Sequence, residues 1–132
     1  MKKFITTLCF LAFLSNVNAI DAGDQVKMVL AKQKLFAGQY IGALTIYNEV
    51  LLKNPNDASV LHYVGYCQFQ LKKYEMATET LKKAVATNKD VKAETHLVLG
   101  KIYLTDEKID EALAEFSMYK SGVNSKEAAE VD

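Results

Sequence analysis

Residues 58–91 read ASVLHYVGYCQFQLKKYEMATETLKKAVATNKDV. Leu61, Val64, Cys67 and Leu71 recur at steps of three or four, which places them on one face of an α-helix. Lys72-Lys73 interrupts the run. Ala77, Leu81, Ala84 and Val85 then repeat the same spacing. The stretch predicts two helices, over about 57–70 and 74–86, joined by a tight turn. Asp57 suits the start of the first, because its short carboxylate can accept from a backbone amide that the first turn leaves unpaired. Asn54-Pro55-Asn56 stops any helix before it.

The same pattern lies on both sides. Laying 24–57 and 93–126 over 58–91 aligns Leu30 with Val64 and Leu99, and Ala31 with Gly65 and Gly100. Leu35 meets Phe69 and Leu104, Tyr40 meets Tyr74 and Ile109, and Tyr47 meets Leu81 and Phe116. Ala43, Ala77 and Ala112 align as well, each twelve residues after the small residue of its own unit. The interval inside each unit is constant. The additional residue of the last offset therefore falls in the turn around Asn88-Lys89-Asp90, where an insertion is tolerated. Gly38-Gln39 and Glu107-Lys108 stand at the internal turns of the outer units. A period of this length signals stacked helical units, none of which buries its apolar face alone. The fold class is all-α: an α-solenoid of antiparallel helix pairs over residues 20–132, ending in a short tail where Ser125 is expected to cap a separate helix. The small residues are expected to let paired helices cross closely. Tyr47, Leu81 and Phe116 are expected to fill the space between successive units.

Leu61, Val64-Gly65, Phe69, Tyr74, Ala77, Leu81 and Ala84, with Pro55 closing the unit before, make this pattern resemble the tetratricopeptide repeat family. The resemblance covers about Asp24 to Asn124. Lys27 and Lys34 stand where that family has apolar or aromatic residues, and Lys89 and Asn124 replace the closing proline. The resemblance implies three repeats whose first helices line a groove for a peptide or partner helix, and a binding role without catalysis. The first-helix residues left free by the repeat framework form one stripe per helix. They are Met28, Lys32 and Phe36, then Ser59, His62, Tyr66 and Gln70, then Glu94, Leu97, Lys101 and Thr105. Met28, Lys32, Phe36, His62, Tyr66, Gln70, Leu97 and Lys101 are the partner-binding candidates. Mixed aromatic, apolar and cationic groups suit a segment with apolar anchors and a few acids. The competing reading of Met28 and Phe36 is that they complete the core. Some members of the family clamp a terminal carboxylate with lysine and asparagine. No first helix here contains asparagine, so that clamp is not expected. Ile109, Ala112, Leu113, Phe116, Met118 and Tyr119 make the last helix apolar around much of its girth. This end is a second place for a partner or a second copy to dock.

The beginning of the chain reads differently. Met1-Lys2-Lys3 precedes an apolar run from Phe4 to Leu14, and Val17-Asn18-Ala19 precedes a polar stretch. A basic start, a short apolar centre and small residues before a polar segment predict a signal peptide over 1–19, cut after Ala19. The run is too short to span a bilayer comfortably, so a retained membrane anchor is the alternative. The protein is expected to be exported, to a periplasmic or extracellular space. Cleavage leaves 14 lysines against 16 acidic residues and removes Cys9. Cys67 then has no internal disulfide partner and reads as a small buried apolar residue.

All 16 basic residues are lysine, balanced by 16 acids. A neutral chain without arginine lacks both the basic face and the guanidinium fork that nucleic-acid recognition favours. His62 and His96 sit on different units, and no His or Cys pair has metal-ligand spacing. His62 reads as a groove residue and His96 as a packing one. Glu75, Glu79, Asp110 and Glu111 read as solvated helix starts that complement the helix dipole. No catalytic grouping or cofactor is expected. A small-molecule or metal-binding accessory role rests on His62, Tyr63 and Tyr66 alone.

Overall fold

The computed structural model describes residues 20–88 and 91–131. The signal-peptide reading of residues 1–19 lies outside them. Among the described residues six helices follow one another: α1 Ala22–Phe36, α2 Tyr40–Lys53, α3 Ala58–Gln70, α4 Tyr74–Thr87, α5 Ala93–Thr105 and α6 Ile109–Val131. Each packs chiefly against its neighbours in sequence, and α3 also touches α5. The result is a stack of three antiparallel pairs.

Local chemistry sets the helix ends. Asp21 accepts from the Asp24 amide at 2.8 Å, and Asp57 accepts from the Val60 amide at 2.9 Å. Each caps the helix that follows. The turn inside each pair closes the same way three times. The amides of Gln39, Lys73 and Lys108 donate to the carbonyls of Lys34, Gln68 and Tyr103 at 2.9, 2.9 and 2.8 Å. The preceding residue must take a left-handed conformation to allow this closure. Gly38, Lys72 and Glu107 do so, at φ of 73°, 63° and 58°. Only the first is glycine.

Two apolar clusters run along the stack. Ala31, Ala43, Tyr47, Val50, Val60, Val64 and Cys67 join the first and second pairs. Ala77, Leu81, Val98, Leu99, Ile102, Tyr103 and Ala112 join the second and third. Tyr47 stacks on Tyr63, with ring centroids 5.2 Å apart and an interplanar angle of 7°. It bridges two units, as the sequence suggests. The aligned residues Leu81 and Phe116 also fill space inside their own units. A Cβ on Gly65 would come within 2.5 Å of the Leu81 side chain, and one on Gly100 would collide with the Phe116 ring. Both residues therefore seat themselves on a glycine of their own unit. The small residues make room for a side chain and not merely for the helix axes to cross. Leu81 also belongs to the cluster it shares with the third pair.

Two further expectations need correcting, and one buried contact is new. Leu30 aligns with the buried Val64 and Leu99 yet is largely exposed, because no unit described here precedes α1 to cover it. No separate helix begins at Ser125; α6 continues unbroken to Val131, and the Ser125 hydroxyl donates back to the Ser121 carbonyl. Asp24 is buried, held by Lys53 Nζ and Asn54 Nδ2 at 3.3 Å each. These contacts tie the start of α1 to the end of α2. The periodicity of apolar residues gives no sign of them.

Candidate functional site

The first helices α1, α3 and α5 share one side of the stack. Between them lies a cleft of about 310 Å³, lined by Leu35, Phe36, His62, Tyr63, Tyr66, Glu94, Leu97, Val98 and Lys101. Five of the eight partner-binding candidates meet there: Phe36, His62, Tyr66, Leu97 and Lys101. The remaining three lie elsewhere. Lys32 stands at the edge, its ammonium 5.1 Å from the centroid of the Tyr63 ring. Met28 is half-buried against the first apolar cluster and does not line the cleft. Gln70 is half-buried at the end of α3 and does not line the cleft. Phe36, by contrast, is exposed and completes no core.

His62 lines the cleft and is buried at the same time. Its Nδ1 lies 2.8 Å from the Thr95 hydroxyl, which joins the second unit to the third. Burial, aided by the positive Lys92, lowers its pKa from 6.5 to about 4. The ring is therefore neutral at pH 7 and adds shape to the cleft, not charge. His96 packs as expected, buried with its Nδ1 2.7 Å from Glu115 Oε2.

One charged residue that sequence reasoning left out of the site stands beside the cleft. Lys92, at the entrance to α5, donates to the Tyr63 hydroxyl at 2.6 Å. Burial pushes the Tyr63 phenol up, but Lys92 and Lys32 outweigh it and hold the pKa below the ordinary tyrosine value. Neither lysine has a carboxylate within ion-pair distance among the described residues. Two uncompensated ammoniums from the first and third units thus converge on one phenol of the second. No periodicity marks Lys92, because it lies one residue before its helix begins.

Among the described residues, no group of three His, Cys, Asp or Glu side chains could hold a metal ion. Cys67 is buried, and burial pushes its thiol up to about 12, so it holds its proton and packs as an apolar group. Among the described residues, no helix is long and apolar enough to cross a membrane.

Residues 37–118 match the family model described as anaphase-promoting complex, cyclosome, subunit 3, which is of tetratricopeptide type. The chain belongs to the tetratricopeptide repeat family. BBSome complex member BBS4 of Bos taurus is 32% identical over 113 residues, covering 85% of this chain and 20% of that protein. Its counterpart from Mus musculus is 32% identical over 104 residues, covering 78% and 19%. The chain thus spans about a fifth of the length of these curated relatives. Among solved structures, the second tetratricopeptide domain of Spaghetti (RPAP3), bound to the HSP90 peptide SRMEEVD, superposes with a TM-score of 0.67 at 16% identity, covering 73% of this chain and 88% of that one. The type III secretion translocator chaperone SycD of Yersinia enterocolitica superposes with a TM-score of 0.73 at 14% identity, covering 83% of each chain. At such identities the likeness is one of fold. The tetratricopeptide fold is in general a scaffold for protein interaction and not for catalysis.

Proposed function

We propose that this chain is a non-catalytic interaction module of the cell envelope, holding an extended or helical segment of another protein in the cleft between α1, α3 and α5. The observation that carries the reading is the meeting of Phe36, Tyr66, Leu97 and Lys101 from three different helices in one cleft. Aromatic and apolar walls accept an anchor side chain, and their burial drives association. Lys101, Lys32 and Lys92 attract acidic groups beside that anchor. Lys32, Phe36, Tyr66, Leu97 and Lys101 are the contact residues of this reading, with Lys92 and Tyr63 added. The peptide seen on the RPAP3 domain supports it by analogy of fold. The envelope setting rests on the export signal read in residues 1–19. N-terminal sequencing of the protein from its host tests that part alone: a start at Ile20 supports it, and a start at Met1 refutes cleavage.

A library of acidic peptides carrying an aromatic or leucine anchor tests the cleft. Phe36→Ala and Lys101→Glu are expected to weaken capture about tenfold each, the scale of one interface anchor. Both side chains are exposed, so neither change threatens the fold. Unchanged capture in both variants would refute the cleft as the binding site.

A further inference from the structure

The two ends of the stack carry surfaces that the interior of the same stack shows how to pair. On α3, Val60 and Val64 are 0% and 2% exposed, because α2 of the preceding unit covers them with Tyr47 and Val50. On α5, the aligned Thr95 and Leu99 are 0% and 1% exposed. Leu99 shares a cluster with Leu81 of α4. On α1 the aligned residues are Val26 and Leu30, and they are 70% and 46% exposed. The first unit therefore presents the receiving half of a repeat interface with none of the described residues upon it.

The other end presents the opposite half. Tyr74 of α4 and Leu44 of α2 are half-buried against the clusters they border. On α6 the counterparts of the covering Tyr47 and Val50 are Phe116 and Tyr119, both half-buried, while those of Tyr74 and Leu44 are Ile109 and Leu113, 54% and 61% exposed. The polar register agrees. Tyr103 on α5 shares a crevice with Glu75, Thr78, Glu79 and Lys82 on α4, and the Lys82 ammonium lies 5.8 Å from its ring centroid. The residue aligned with Tyr103 on α1 is Lys34. The residues aligned with that stretch of α4 are Asp110, Leu113, Ala114 and Ser117. One unit further along the stack, Lys34 would therefore fall beside Asp110, a cation beside an anion. Lysine in place of the tyrosine suits a contact with an acidic helix start.

We propose that copies of this chain join head to tail, α6 of one copy covering Val26 and Leu30 on α1 of the next as α2 covers α3 within the chain. The two surfaces differ, so the contact is heterologous and leaves one free edge of each kind. Association is open-ended and does not stop at two. The cleft lies on another side of the helices and stays open, so this inference does not rest on the proposed function.

Sedimentation velocity over a concentration series on the natural protein tests it. The expected result is a graded series of oligomers that grows with concentration. Leu30→Asp removes one edge and Leu113→Asp the other, so each variant alone stays monomeric. Mixed in equal amounts they form dimers and nothing larger, because each supplies the edge the other has lost. Lys34→Glu weakens association about tenfold, the scale of a close charge pair turned repulsive, and Lys34→Glu with Asp110→Lys restores it. Helical circular dichroism equal to that of the natural protein shows that the variants fold. Should one of them not fold, the charge exchange decides alone. A strict monomer at every concentration would overturn the proposal, whether the edge is covered by the chain's own residues 4–14 or by another protein's helix. A natural protein that stops at dimers, or a Leu30→Asp variant that still self-associates, would overturn it too.

Discussion

At the scale of the residue, His62 couples packing to proton binding. Its pKa falls from 6.5 in the open chain to about 4 in the fold, mainly through burial. Below pH 6.5 the unfolded chain therefore binds a proton that the folded chain refuses, and stability drains away until the pH reaches about 4. A shift of that size corresponds to about 3 kcal/mol. Urea unfolding at stepped pH is expected to show this loss in the natural protein. In His62→Asn it is expected to be smaller by about that amount, because asparagine can still meet the Thr95 hydroxyl but does not titrate. Carboxylates titrate equally in both proteins, so the difference isolates His62. Parallel curves would mean that the ring is protonated in the folded state. The sequence places His62 on the correct helix and aims it at the groove. Its burial depends on Thr95, 33 residues further on, and a one-unit helical pattern does not register such a contact.

At the scale of the element, the three internal turns form a matched series. Each needs one residue with positive φ, and the chain supplies Gly38, Lys72 and Glu107. A side chain in that conformation costs about 1–2 kcal/mol, while glycine loses about 0.5–1 kcal/mol more backbone freedom on folding. Lys72→Gly and Glu107→Gly are therefore expected to stabilise the protein by about 0.5 kcal/mol each. Gly38→Ala is expected to destabilise it by about 1 kcal/mol. A Cβ there meets nothing within 4 Å, so the backbone alone sets that cost. Denaturation midpoints check all three, and a rise with Gly38→Ala would refute the account. Helix pairs and turns were the most legible part of the sequence, since each follows from spacing and from a break of one or two residues. The seats of Leu81 on Gly65 and Phe116 on Gly100 were less legible. Alignment equates those side chains with Tyr47, yet the small residue of its unit is Ala31, which has a Cβ where the other two units have none. Geometry, not periodicity, separates the cases.

At the scale of the whole molecule, stability is unevenly distributed. The site was half legible for a related reason. Phe36, Tyr66, Leu97 and Lys101 follow from which helix faces the framework leaves free. Lys92 and the burial of Met28 depend on how neighbouring units come together. Those contacts between units gather on α3, which packs against α2 of the unit before it and α5 of the unit after it. Ala58, Val60, Leu61, His62, Val64, Gly65, Cys67 and Gln68 are all buried there, against Asp24 and Ala31 alone on the longer α1. Beyond Tyr119, α6 has no described residue that is fully buried through residue 130. In a stack that holds together by nearest-neighbour contact, the ends open at lower free energy than the middle. Hydrogen exchange followed peptide by peptide is expected to be slowest over α3, intermediate over α4 and α5, and faster over α1. It is expected to be fastest over residues 120–130 of α6. Head-to-tail association covers α1 with the α6 of another copy, so exchange in α1 should slow as concentration rises while that in α3 stays constant. Equal protection in all six helices would mean that the stack opens as one unit and that its ends are not the weaker parts.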